Sequence, residues 1–257
     1  VGGGGGAFIT SSILNGAAIG LGGLTVPVQV GGAGGSTGNG GTVTVAASNA
    51  GVKTTAANAH GILAQSIGGG GGLITGTATP GTDMQTLFSS DLQKGDGGAV
   101  GVTLDSGAYI LTFGAGAAGV LAQSVGGGGG MFGSLSQVDI AAAMRTPTIT
   151  QGGQGGDVTV RLATGGNIWT LGTRAHGIVA QSFGGGGGMT AQADGNGYVF
   201  SAATPYTGCS GTACTGAVTV EVAPNALVRA QGAQAYAVVA QSRGNGVNDA
   251  TVTIDQG

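Results

Sequence analysis

Histidine is the side chain best suited to acid–base chemistry near neutral pH, and the sequence contains two, His60 and His176. The equivalent positions of sister repeats hold Ala118 and Tyr236, so we interpret the site as a corner of the fold rather than a catalytic or metal-binding position. If each repeat forms two coils, the two histidines lie roughly 19 Å apart. That distance is too large for them to share a zinc ion.

Carboxylates are the other candidates for catalysis. The ten acidic residues are scattered along the chain, and a single local cluster contains Asp91, Asp96 and Lys94 in a variable segment. Enzymes that cleave polysaccharides need acids and bases that converge on one bond. We therefore predict that the chain is not an enzyme, and we keep a β-helical polysaccharide-acting enzyme as an alternative.

The glycine blocks resemble neither a phosphate loop nor a repeated calcium site. No Lys-Ser/Thr pair follows the blocks at Gly68–Gly72, Gly126–Gly130 and Gly184–Gly188, as a phosphate loop requires. The segment from Gly152 to Val160 is similar to a calcium-binding nonapeptide, with Asp157 as the candidate ligand. It has no tandem copy to complete an oxygen shell. We predict no cofactor and no metal.

Cys209 and Cys214 are the only cysteines. They replace a glycine-rich corner of the earlier repeats, and their short spacing allows the Cα separation of about 4.4–6.8 Å that a disulfide needs. Half of a metal site is the rival interpretation, but it lacks a second Cys or His pair. We predict an intramolecular disulfide, which is typical of oxidising compartments.

The elements that position these residues are repeats. The string Ala-Gln-Ser occurs four times at spacings of 58, 58 and 60 residues, with its glutamines at Gln65, Gln123, Gln181 and Gln241. We expect each glutamine amide to satisfy backbone groups at a strand end, although a ligand-binding ladder is a second interpretation. The conserved motifs cover about 41–72, 98–130, 156–188 and 216–246. They predict one continuous array over residues 1–257, an internal part of a longer chain.

Within each motif, three short runs alternate with period 2 and are separated by turn residues. Three strands in roughly 25 residues match one coil of a solenoid, which needs stacked neighbours to bury its apolar face. We predict an all-β, right-handed parallel β-solenoid (β-helix) of ~58-residue repeats, each with one conserved and one variable coil. We expect Lys53, Trp169 and Arg229 to point outward, with Leu111 in the same register covered by a variable segment. The inward positions of the first motif should be Val43, Val45, Val52, Thr54 and Ile62.

Amino-acid composition argues against some classes of binding partner. Only 7% of the 257 residues are charged, 41% are hydrophobic, and the net charge is −3. So few basic residues argue against nucleic acid and anionic membranes. The apolar stretch over residues 7–30 contains Pro27 and several polar residues, so we expect no membrane insertion.

The string from Ala59 to Ile67 followed by five glycines, repeated from Ala175 to Phe183, resembles a repeat of large bacterial autotransporter-type surface proteins. The resemblance implies secretion and display on the bacterial cell surface, as a stalk, adhesin or biofilm fibre. It also implies that partners are other copies of the chain or a host or matrix surface. A self-assembling extracellular filament or sheath is the alternative interpretation.

Overall fold

A computed structural model describes residues 6–9, 38–69, 71–75, 95–127, 129–132, 153–185, 187–191, 198–201, 214–244 and 249–255. These residues form β-strands and turns, without an α-helix in any of the described ranges. Accordingly, no helix of the described chain is long and apolar enough to cross a membrane.

The strands belong to four sheets, and each motif of the chain contributes strands to these sheets in the same order. The first sheet contains β2 (Val43–Ala47), β6 (Val100–Leu104), β10 (Val158–Leu162), β15 (Val218–Val222) and β18 (Ala250–Ile254). The second contains β3 (Gly51–Thr54), β7 (Tyr109–Thr112), β11 (Asn167–Thr170) and β16 (Leu227–Ala230). The third contains β4 (Ile62–Ile67), β8 (Val120–Val125), β12 (Ile178–Phe183) and β17 (Val238–Arg243). The fourth contains β1 (Gly6–Ile9), β5 (Gly71–Thr75), β9 (Gly129–Phe132), β13 (Gly187–Ala191) and β14 (Tyr198–Ser201).

The first three sheets are parallel, and equivalent residues of successive motifs are direct partners. Val43 pairs with Val100, Val100 with Val158, and Val158 with Val218. This is the architecture of a parallel β-solenoid, and it confirms the predicted all-β class. The expectation of a variable coil between successive conserved coils is wrong, because strands bonded at the usual 4.7–4.9 Å spacing leave no room for one.

The core lies between the first three sheets and consists mainly of Val, Ile, Leu and Ala. β-branched side chains suit this position because they pack well on a pleated surface. The predicted inward register is confirmed: Val43, Val45, Val52 and Ile62 pack against the core, and their equivalents in the second and third motifs are buried.

The outward register is confirmed as well. Lys53, Trp169 and Arg229 are exposed. Leu111 is partly exposed, and most of the segment expected to cover it lies outside the described residues, so that part stays a prediction.

The corner between the first and second sheets needs a left-handed backbone in every coil. Asn49, Gly107, Gly165 and Asn225 occupy it with φ between 49° and 79°. Glycine adopts this conformation freely and asparagine tolerates it better than most residues, which explains why these four positions hold only these two residue types.

In the third sheet, the two central strands β8 and β12 are buried on both faces. In the first and second sheets, the central strands β10 and β11 are buried on one face only. The inward residues of the third sheet join the main core, while Ile67, Val125 and Phe183 form a separate buried cluster. The strands β5 and β9, which begin within the glycine blocks, lie against β4 and β8. These fourth-sheet strands were not predicted from the sequence, because a run of glycines is normally unfavourable in a strand.

Candidate functional site

The four repeated glutamines lie side by side in the third sheet and bond to one another. Gln65 Nε2 donates to Gln123 Oε1 at 2.8 Å, Gln123 Nε2 to Gln181 Oε1 at 3.2 Å, and Gln181 Nε2 to Gln241 Oε1 at 3.0 Å. Gln123 and Gln181 are completely buried. The prediction of an intervening coil between neighbouring glutamines is wrong, because glutamines of successive motifs are direct partners and their amides bond to each other. The amides satisfy one another in a dry environment, where such bonds are strong.

The serines that follow the first three glutamines each connect two coils. Ser124 Oγ donates to Gly98 O at 2.8 Å and accepts from Gly156 N, in the following coil, at 2.8 Å. Ser66 and Ser182 make the same pair of bonds one coil earlier and one coil later. A side chain on Gly97 or Gly155 would collide with these hydroxyls, which explains why the corner before the first strand is glycine.

The histidines occupy a corner, as predicted, and their rings bond to the next coil. His60 Nδ1 accepts from Ala118 N at 3.1 Å, and His176 Nδ1 accepts from Tyr236 N at 3.1 Å. The ring of Tyr236 stacks on that of His176, with centroids 5.4 Å apart. Burial lowers the pKa of both histidines to about 4, so both are neutral at pH 7.

The predicted separation of the histidines is wrong. A single coil, the one that contains Ala118, lies between them, so two strand spacings, roughly 10 Å, separate the two positions. The estimate of roughly 19 Å followed from the assumption of two coils per repeat.

The acidic candidates that the structure describes act as backbone acceptors. Asp157 Oδ1 accepts from Ala217 N at 2.8 Å, and Asp96 Oδ1 accepts from Gln154 N at 2.7 Å. Both bonds link successive coils. In the described part of the chain, no group of three or more His, Cys, Asp or Glu side chains is placed to hold a metal. Asp91 and Lys94 lie outside the described residues.

Cys214 is buried and disulfide-bonded. It lies directly beneath the start of the third glycine block, where its carbonyl oxygen approaches Gly184. Cys209 lies outside the described residues, so its pairing with Cys214 stays a prediction.

The outer surface of the second sheet is the one described region with a concentration of exposed aromatic side chains. We call it the aromatic face and define it by the outward positions of β3, β7, β11 and β16 and the residues that follow them. Its large apolar members Tyr109, Phe113, Trp169 and Leu227 are 52%, 42%, 41% and 51% exposed. Single exposed apolar residues are ordinary, but a cluster on one flat sheet indicates a contact surface.

Two cations lie among these rings. Lys53 Nζ is 5.3 Å from the centroid of Phe113, and Arg229 Cζ is 5.3 Å from the centroid of Trp169. Trp169 Nε1 also donates to Gln231 Oε1 at 2.9 Å. The cation–π contact with Arg229 and this hydrogen bond hold the Trp169 indole in place while leaving much of it exposed.

Sequence reasoning placed Trp169, Lys53 and Arg229 on this surface but missed Tyr109 and Phe113. Both could have been found by extending the period-2 alternation two residues to either side of Leu111. The bridging role of Ser66, Ser124 and Ser182 gave no such signal, since it depends on how the third strand meets the corner before the first.

No protein-family model matches the sequence, and neither a curated protein nor a solved structure matches it significantly.

Proposed function

We propose that the chain is part of an extracellular structural rod, a right-handed parallel β-solenoid that displays an adhesive surface on a bacterial cell. The strongest support for this proposal is that the repeated polar side chains form hydrogen bonds between coils. The repeated glutamines, the first three serines that follow them, both histidines, Asp96 and Asp157 bond successive coils together. Side chains committed to such bonds stiffen a scaffold and are poorly placed for turnover.

Two further features favour this function. The disulfide of Cys214 is typical of proteins that fold in oxidising compartments. The sequence from Ala59 through the following glycines, and its copy from Ala175, resemble repeats of autotransporter-type surface proteins. In that setting a solenoid acts as a stalk, adhesin or biofilm fibre, and its outer faces are the surfaces available for contact.

Surface display is testable with a matched pair of cysteine substitutions in β10. Thr159 points outward and is exposed, whereas its neighbour Val160 is completely buried. We expect a membrane-impermeant maleimide to label Thr159→Cys on intact producing cells, and to leave Val160→Cys unlabelled until the protein is denatured. Labelling of Thr159→Cys only after cell lysis would contradict an extracellular location.

The enzyme alternative has its own test. If the purified chain cleaves a polysaccharide and Asp96→Asn abolishes cleavage, the structural proposal is wrong. If the purified chain instead forms fibres whose amount rises steeply with concentration, the self-assembling filament becomes the better description. Electron microscopy of the native material distinguishes a cell-tethered rod from such a polymer.

A further inference from the structure

The aromatic face combines three properties that together specify a class of ligand. It is a regular surface, because four parallel strands pair in register across it. It exposes the rings of Tyr109, Phe113 and Trp169. Its only charged side chains are cationic. We infer that this face binds an acidic polysaccharide, a chain of pyranose rings that carries carboxylates. The inference rests on the proposed adhesive function and names its ligand.

The charge of the face is opposite to that of the chain. The net charge of the protein is −3. On the aromatic face, however, the outward positions of the described strands hold Lys53 and Arg229 and no Asp or Glu. The acid nearest in sequence, Asp105, lies in the turn before β7 rather than on the sheet. Lys53 in β3 and Arg229 in β16 lie at opposite edges of the sheet, so a polyanion that crosses the face meets a cation at each edge and no competing anion. Arg229 can bind one of its carboxylates in bidentate fashion.

The rings and amides match the rest of a sugar chain. A pyranose presents C–H groups on its flat faces, which pack against exposed aromatic rings, and hydroxyls at its edges. The exposed indole of Trp169 is already fixed by Arg229 and Gln231, so little entropy is lost when a ring stacks on it. Asn167 is exposed on the same face; its Nδ2 donates to Gly165 O at 3.0 Å, which leaves its Oδ1 to accept from a sugar hydroxyl.

Size favours a sugar chain over a protein partner. Three strand spacings of about 4.8 Å and four residues of about 3.3 Å give the sheet an outer surface of roughly 200 Å². A specific protein interface needs about 800 Å² on each partner. A short run of sugar rings covers the smaller area. Nucleic acid requires a denser cluster of cations than the two present.

The experiment uses the 257-residue chain and two probes with the same sugar backbone, one charged and one neutral. Polygalacturonate carries a carboxylate on each ring, and its methyl ester has the same rings without the charge. We expect calorimetry at low salt to detect binding of polygalacturonate, at least tenfold weaker binding of the ester, and weakening of the polygalacturonate complex by added salt.

Three variants locate the site. Trp169→Ala and Arg229→Gln should each weaken binding at least tenfold. The control is Arg161→Gln, since Arg161 is an exposed arginine of β10, in the first sheet, where it lies 3.6 Å from Glu221. Arg161→Gln should bind as the parent does, and circular dichroism and thermal melting should show that all three variants fold.

Several results would overturn the inference: no binding of polygalacturonate, equal affinity for the ester, or full affinity in folded Trp169→Ala and Arg229→Gln. These failures leave the proposed function intact if Thr159→Cys is still labelled on intact cells. The proposed function can also fail on its own. Binding of polygalacturonate followed by shortening of the polysaccharide would support the proposed ligand class and refute the structural function.

Discussion

Gln123 donates a hydrogen bond from its Nε2 to Oε1 of Gln181 at 3.2 Å, in the completely buried centre of a ladder that crosses four coils. Gln123 also accepts from Gln65, so its removal leaves a donor and an acceptor without their partner. We expect Gln123→Ala to lower the free energy of unfolding by about 2–4 kcal/mol, since each buried polar group left unsatisfied costs about 1–3 kcal/mol. Urea denaturation measures the loss.

The matched control is Gln241→Ala, at the partly exposed end of the same ladder. The substitution leaves only Nε2 of Gln181 without its acceptor, so the loss of stability should be less than half as large. Equal losses for the two variants would show that the ladder does not act as a connected unit.

Ser124 provides a second test, because its hydroxyl joins Gly98 of its own coil to Gly156 of the next. Ser124→Ala removes both bonds and leaves the Gly156 N–H without its acceptor, so we expect a loss of about 1–3 kcal/mol. Ser106→Ala, in an exposed turn, is the control and should change stability by less than about 0.5 kcal/mol. A Ser124→Ala variant as stable as the control would refute the bridging role.

The sequence predicts much of this fold because the repeat supplies both period and register. Inward Val43, Val52 and Ile62 follow from strand alternation, as does outward Trp169. The number of coils per repeat could not be predicted in this way. It depends on which strands pair, and the direct partnership of Val43 with Val100 is a long-range hydrogen-bonding fact that neither residue type nor spacing reveals.

The same limit applies to the candidate site. The glutamine ladder becomes visible only when Gln65 and Gln123 are known to occupy adjacent strands. The positions of the aromatic face were predictable from alternation, but the placement of Arg229 over Trp169 depends on side-chain conformation.

Substitutions at two glycines can distinguish the cost of a left-handed backbone conformation from the cost of a steric clash. Neither Gly101 in β6 nor Gly165 in a corner has an atom within 4 Å of an added Cβ, but Gly165 has φ of +79°. Gly101→Thr should stabilise the protein by about 0.5–1 kcal/mol, because threonine favours strands and lies beside Thr44 and Thr159. Gly165→Thr should destabilise it by about 1–2 kcal/mol.

The control for this pair is Gly165→Asn, since asparagine occupies the same corner at Asn49 and Asn225. It should be close to neutral in thermal denaturation. If Gly165→Thr proves as stable as Gly165→Asn, the left-handed backbone is not what selects the residue at this corner.

Acid should destabilise the solenoid through its histidines. His60 and His176 accept backbone N–H bonds through Nδ1, and burial lowers the pKa of each to about 4, against about 6.5 in the unfolded chain. Between these values the unfolded state binds more protons. The contribution of each histidine to stability is therefore complete above about pH 6.5, falls as the pH drops towards 4, and levels off below it, with a total loss on the order of 3 kcal/mol per histidine.

The double variant His60→Ala/His176→Ala isolates this effect from that of the carboxylates, and alanine fits because Ala118 occupies the equivalent corner. We expect urea midpoints of the parent to fall more steeply than those of the variant between pH 7 and pH 4.5. Because the carboxylates are common to both proteins, the difference between the two curves belongs to the histidines. Parallel curves would mean that both rings titrate in the folded state as they do in the unfolded chain. That result would refute the assignment of both histidines as buried, neutral acceptors.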